Sequence, residues 1–351
     1  MLLGPGRRVL GYCGVVSDRA LPSGKLPAGM LERLLDDVGP LPPEVVVGPA
    51  IGVDACAIEV EAGVLVAASD PITLSGAGLG RAVVTINAND IAVTGVRPRW
   101  FVATVLLPAG TTESEVERLF GDMRGALSAT GAVLVGGHTE VTDAVSSPVV
   151  VGHMLGLAEA GRIVTTRGAR PGDAIVQVGR VPIEGAAVLA LEHAAALGSA
   201  PQASVDAAAR AIDDPGISVV GAALAAADLG ATAMHDPTEG GLAAALWELA
   251  SAAHVALRVD RDRIAWFAPG LAVCRAAGAD PWATLASGML LATFPESLAS
   301  VAVRRLAAQG YEAVTIGLAE PGEGVRDTDG RPIPWPDRDE VARLLHGGLR
   351  R

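Results

Sequence analysis

The sequence predicts an α/β protein built from two domains, and three observations carry that expectation. Short apolar runs that end in turns alternate with helical stripes, and this happens in two series of similar size. A stretch rich in Arg, Pro and Gly separates the series near residue 165. The 351 residues are enough for two cores, at roughly 100–200 residues per domain. Half of the residues are apolar but only 3% are aromatic, so the cores must be filled by many small aliphatic contacts.

Residues 1–40 are rich in Gly and Pro, with a short helical pattern at Met30–Leu35, and read as an arm. The first domain is expected over 41–160. In it Val64–Asp70 is a strand by its apolar run and the Pro that follows, and Leu79–Val93 is a helix. Trp100–Leu107 is a strand. Ser114–Ala129 is a helix with Val116, Leu119, Phe120, Met123 and Leu127 on one stripe. Ala132–Val135 and Val149–Leu157 are strands. Gly161–Asp173 reads as a linker.

The second domain is expected over 165–330. Its strands are Ala174–Val178, Ala231–Met234, Ala256–Val259, Met289–Phe294 and Ala313–Ile316. Its helices are Gly185–Ala196, Ser218–Ala227, Gly240–Ala253 and Ser297–Gln309. Residues 331–351 are polar and Pro-containing and read as a tail.

Composition excludes several classes of function. A net charge of -12 argues against a nucleic-acid partner, since backbone phosphates demand a concentrated basic surface. No charge-free run reaches the ~18 apolar residues that span a bilayer; Ile217–Ala227 and Pro281–Pro295 read as buried helix and strand. Arg7 and Arg8 precede only a brief apolar patch cut by Gly11 and Gly14, a poor signal peptide. Cys13, Cys56 and Cys274 have no paired spacing, so neither a disulfide framework nor a zinc site is expected, and the cytoplasm is the default compartment.

Four acids sit at strand ends or in turns: Asp54 in Gly52-Val53-Asp54-Ala55, Asp70 after Val64–Ser69, Asp90 in Asn87-Ala88-Asn89-Asp90, and Asp236 in Asp236-Pro237-Thr238-Glu239-Gly240-Gly241. Carboxylates converging from several strand ends suit a magnesium-nucleotide complex, because magnesium takes hard oxygen ligands alongside substrate phosphates. Singly, each also fits a turn or cap. Asn87 and Asp90 share a helical face in an apolar stretch. Gly136-Gly137-His138-Thr139-Glu140 follows a strand, where paired glycines allow either close backbone approach to a ligand or a tight turn. Gly76-Ala77-Gly78-Leu79-Gly80 lacks the lysine of a phosphate loop and reads as a turn entering a helix.

In their order along the chain these motifs resemble the aminoimidazole ribonucleotide synthetase-like superfamily, over about Gly24–Glu320. Asp236–Leu242 and Leu285–Leu290 look like its hydrogenase-maturation dehydratase branch. The resemblance implies a homodimer in which first-domain strands form a β-barrel, with ATP in the cleft between the domains. It implies that Asp54, Asp90 and Asp236 bind magnesium. Asp70, Asn87 and Thr139, with Glu140 beside them, would lie near the nucleotide phosphates. Lys25 would cover those phosphates from the arm, and both Lys25 and His138 would take part in catalysis. Lys25 is the single lysine among 27 basic residues, which suits a position where a compact ammonium fits a phosphate and a guanidinium fork does not.

Two departures from the pattern stand out. Val53 replaces the first of two adjacent acids, and the chain closes Leu349-Arg350-Arg351 without the terminal cysteine of the dehydratase branch. The expected function is ATP-dependent phosphorylation or activation of a small, anionic or amide-bearing metabolite. The alternative is a non-catalytic nucleotide-binding accessory protein of a hydrogenase-type maturation pathway.

Overall fold

The computed structural model describes residues 45–47, 52–53, 56–60, 63–73, 78–159 and 161–346. Lys25, Asp54 and Cys13 lie outside them. The first sheet has the order β1 (Val45–Val47), β2 (Cys56–Val60), β3 (Gly63–Ile72), β6 (Val149–Ala158), β4 (Pro98–Pro108), β5 (Val133–Thr142). All neighbours are antiparallel except β4 and β5, which run parallel. Helices α1 (Leu79–Ala92) and α2 (Glu113–Thr130) pack against each other, and α1 lies on β3 and β6. Burial alternates along β4 and β6, because successive side chains of a strand point to opposite faces. One face is sealed by the helices. The other, with Trp100, Val102, Leu106, Val149, Val151, Leu155 and Leu157, is only half-buried although mostly apolar.

The paired glycines 136 and 137 do not form a turn after a strand, as one reading of the sequence had it. They lie inside β5, which runs on to Thr142. The β4–β5 register shifts between Phe101 and Val102. At Gly137 (φ 152°) a Cβ would collide with the Ala103 carbonyl of the neighbouring strand, so close strand approach, not a turn, is what selects glycine there.

The second sheet has the order β12 (Val325–Asp327), β9 (Ala256–Val259), β11 (Ala313–Glu320), β7 (Asp173–Val178), β10 (Leu290–Pro295), β8 (Ala233–His235). Central β7 is buried throughout, as a strand covered on both faces must be. One face joins α5 (Val220–Asp228) and α8 (Glu296–Ala308), and its Val176, Ala292 and Phe294 share a core with Met154 and Ile91 of the first domain. The opposite face packs Ile175, Leu291 and Leu257 on α6 (Gly241–Ala253). A third cluster ties α3 (Glu184–Glu192), α4 (Gln202–Arg210), α7 (Ala268–Ala277) and α9 (Glu340–His346) together through Leu189, Val273 and Val341. Residues 331–346 therefore return to the second domain: the segment read as a tail contributes α9 and buried Ile333. The linker is pinned to both domains, by Val164 N–H to the Thr94 carbonyl (2.9 Å) and by the Thr166 hydroxyl to the Met234 carbonyl (3.2 Å).

Candidate active site

The buried helix α1 carries three polar side chains in one turn, and each does something different. Asn87 accepts from Asp70 N–H (2.9 Å) and donates to the carbonyls of Val83 (2.8 Å) and Asp70 (3.3 Å). It thus fixes the end of β3 to α1, and Asp70 with it. Room for this amide is made by Gly152 on β6, directly opposite Asp70; a Cβ there would collide with Asn87 and come within 2.9 Å of the Phe101 ring. Asn89 points the other way, donating to the Ile217 carbonyl and accepting from Val219 N–H, both at 2.9 Å. It clamps the two domains together, a role the sequence did not reveal because both partners lie more than 120 residues away. Asp90 is buried on the same helix.

Asp236 follows β8 and is almost fully buried. Just before it, His235 Nε2 and Glu248 Oε2 of α6 lie 2.7 Å apart, both buried. Gly52 sits on the same helix, with φ 72°, where a Cβ would come within 2.9 Å of the Glu248 carbonyl oxygen. Val53, Val93, Thr94, Thr166 and Met234 line one small cavity. The neighbours of Asp54, Asp90 and Asp236 in sequence therefore meet at the domain seam. Gly240 (φ 77°) and Gly241 (φ 65°) make the turn after Asp236. The Gly240 amide donates to Asp339 Oδ2 (2.9 Å), and Asp339 Oδ1 also accepts from Val341 N–H (2.8 Å).

His138, Thr139 and Glu140 are exposed on edge strand β5, where His138 Nε2 lies 3.3 Å from Glu140 Oε2. Asp70, Gly152, Ala103 and Gly137 form one row across the sheet, and His138 stands one row further on. Three strand spacings separate β3 from β5, about 14 Å. Within one chain the structure keeps His138, Thr139 and Glu140 apart from Asp70 and Asn87. Among the described residues no group of three or more His, Cys, Asp or Glu side chains is placed to hold a metal. The described candidates Asp90 and Asp236 are buried carboxylates, the hard oxygen donors that magnesium takes, so their donor chemistry fits.

The sequence reading passed over two features. A cleft of about 840 Å³ runs between α1, α3, α5 and the 212–218 segment, lined by Arg81, Thr85, Glu184, Asp213 and Ser218 among others. A cavity of about 520 Å³ opens on the other side of Gly78 and Leu79, by Pro108–Thr111 and Arg118. Gly78 and Leu79 are the wall they share, with Gly78 at φ 97° capping α1. Glu184, the first residue of α3, is buried, and burial with the negative charges of Asp339 and Glu239 pushes its carboxyl up to about 7, against a hydrogen bond from Ser287. Cys274 is buried beside Thr284, and burial pushes its thiol up to about 11.

Residues 52–158 match the model of the AIR synthase related protein, N-terminal domain, and residues 170–329 that of its C-terminal domain. The chain belongs to the AIR synthase related family. Its two family domains are the two sheets described above, and Met234 and the Asn89 clamp lie at the seam between them. Among curated relatives, "Carbamoyl dehydratase HypE" of Rhizobium leguminosarum bv. viciae is 27% identical over 310 residues, covering 84% of this chain and 86% of the relative. The protein of that name from Rhodobacter capsulatus is 29% identical over 253 residues, covering 71% and 72%. Among solved structures, hydrogenase maturation protein HypE in complex with ATP has a TM-score of 0.69 at 22% identity, covering 84% of this chain and 92% of that one. AaThiL complexed with AMPPCP and TMP has 0.68 at 20%, covering 89% and 94%. Likeness at that level of identity establishes the two-domain AIR synthase fold.

Proposed function

We propose that this chain is a magnesium-dependent enzyme that binds ATP and uses it to phosphorylate or activate a small metabolite, acting as a homodimer. The observation that carries this reading is the meeting of the Asp54, Asp90 and Asp236 neighbourhoods at the domain seam. The relatives support it: one similar fold was solved with ATP and another with AMPPCP, and the curated relatives are named carbamoyl dehydratases. Asp54, Asp90 and Asp236 would hold magnesium, which when bound neutralises phosphate charge and orients the transferred group. Asn87 keeps Asp70 in register at the end of β3. Lys25 would supply a point charge to the phosphates. Thr139, Glu140 and His138 would serve a site reached from the sheet edge, and in a homodimer that edge adjoins a second subunit. Chemistry through a thiolate at Cys274 is disfavoured, since its thiol stays protonated at neutral pH.

The test measures magnesium-dependent ATP binding and ADP release across metabolite pools. Asp90→Asn and Asp236→Asn, with Asp54→Asn, should each weaken ATP binding at least tenfold, ~1.4 kcal/mol, with the circular dichroism spectrum kept. Unchanged affinity in all three sinks the metal assignment, and tight binding without turnover in any pool favours the accessory-protein reading. Magnesium-ATP should also shield Lys25 from amine-reactive labelling, and equal labelling with and without nucleotide removes Lys25 from the site.

A further inference from the structure

The wide cleft between the domains has an acidic, buried end. Its walls near α3 are small and apolar, with Ala187, Val188, Ile217 and Val220 among them. Glu184 lies there with a relative exposure of 3%. Its carboxyl takes a hydrogen bond from the Ser287 hydroxyl. Its Oε2 is fully buried and meets no hydrogen-bond donor among the described residues. The charged groups that act on this carboxyl, Asp339 and Glu239, are both negative. Asp339 is held in place by three backbone amides. Two cations line the cleft, Arg81 on α1, which is ion-paired with Asp213, and Arg97 before β4, and neither acts on the Glu184 carboxyl.

A buried carboxylate with no cation beside it is costly, and a fold that keeps one at the wall of a large cleft has left a place for a positive partner. We infer that Glu184 is the docking group for a protonated nitrogen of the substrate, an ammonium or a guanidinium, in the interdomain cleft. A cation supplies both things the Oε2 side lacks, a donated N–H and a compensating charge. An anionic substrate group is repelled at this end by three carboxyls, so any phosphate or carboxylate of the ligand points away from it. A neutral amide would supply the hydrogen bond and leave the charge uncompensated.

The pH dependence separates these cases. The groups facing the carboxyl are Ser287, Asp339 and Glu239, with Arg81, Arg97, Asp213 and Asp228 elsewhere along the cleft and Glu192 at the far end of α3. The helix N-terminus favours the anion, yet burial prevails and Glu184 titrates near neutrality. Cation binding should strengthen as Glu184 ionises, by about tenfold between pH 6 and pH 8 for a group titrating near 7. A ligand that accepts a proton from the neutral carboxyl would weaken instead.

This inference names the substrate class for the reading above, and its test needs no nucleotide, so its failure is distinct from a failure of ATP binding. The whole chain is titrated with methylguanidinium and n-propylammonium, and with neutral N-methylurea and 1-propanol, by saturation-transfer NMR at pH 6 and pH 8. The cations should bind about tenfold tighter at pH 8, and Glu184→Gln should abolish that binding. Asp339→Asn should weaken it, because it removes one of the two neighbouring negative charges. Neutral fragments that bind as well as the cations, cation binding retained in Glu184→Gln, or a preference for pH 6 would each overturn it. If Glu184→Gln does not fold, the wild-type pH preference and the contrast between cationic and neutral probes still decide.

Discussion

Glu184 and Asp339 make stability depend on pH in the direction opposite to ion-paired acids. Their carboxyls titrate in the fold near 7 and 6, above the ordinary 4.5 and 3.8, chiefly because burial disfavours the charged form. The folded state therefore holds protons that the unfolded chain has released. The contribution is fully present below about pH 4 and is lost as pH rises through 7. For Glu184 the loss is on the order of 3 kcal/mol. We expect the Tm to fall between pH 5 and pH 8, and Glu184→Gln to flatten that slope; a wild-type Tm that climbs over this range would refute it. Asn89 is a second residue with a measurable share. Asn89→Ala leaves the buried Ile217 carbonyl and Val219 amide without their partner, at roughly 2–4 kcal/mol, readable as a lower urea midpoint. The sequence marked Asn87 and Asp90 as polar residues sharing a helical face in an apolar stretch. It did not separate Asn87, the strand clamp, from Asn89, the domain clamp, because their partners are set by tertiary register.

Strongly periodic elements were legible: α1, α2, α6, α8 and most strands stand within a few residues of where periodicity put them. Three helices were not. In α7 Pro269 and Gly270 look like turn residues, yet Pro is at home in a first helical turn, and Gly270 is needed for close approach to the Pro182 carbonyl. Helix α4 is short and Ala-rich, and the side it packs with, Val205, Ala208 and Ala209, is built of small residues that mark a core helix weakly. Short α9 follows a Pro-rich run and is held by Asp339. Of the candidate site, Asp70 and Asp236 were visible as strand-end residues, Asp90 lies within helix α1 and not at a strand end or in a turn, and Glu184 was hidden inside a helical pattern. Gly152→Ala tests how α1 is seated on its sheet. The added methyl meets Asn87 and the Phe101 ring, so helix and strand must separate. A loss of 1–3 kcal/mol in urea unfolding is expected from such overpacking, together with lost magnesium-dependent ATP binding. Wild-type stability would mean that Asn87 moves aside at little cost.

At the scale of the whole molecule, the open face of the first sheet and its edge argue for a second copy. Val133, Leu134 and Val135 are all exposed, so neither side of β5 is covered there, and Val141 is exposed at its other end. Among the described residues no strand pairs with the outer edge of β5, and an apolar edge of that kind is an association surface. Light scattering is expected to give about twice 35.4 kDa, and Val135→Lys with Val141→Lys to give the single-chain mass while the circular dichroism spectrum is kept. A wild-type monomer at micromolar concentration would end the dimer reading. The contact between Gly240 and Asp339 spans 99 residues of chain, and that separation bears on biosynthesis. As a nascent chain leaves the ribosome, the turn after Asp236 emerges long before the carboxylate that fastens it. A polypeptide released between Asp327 and Asp339 would hold the strands of both sheets and still lack a seated turn after Asp236. Translation must run almost to α9 before this part of the seam is secured, so the fold itself discriminates complete chains from aborted ones.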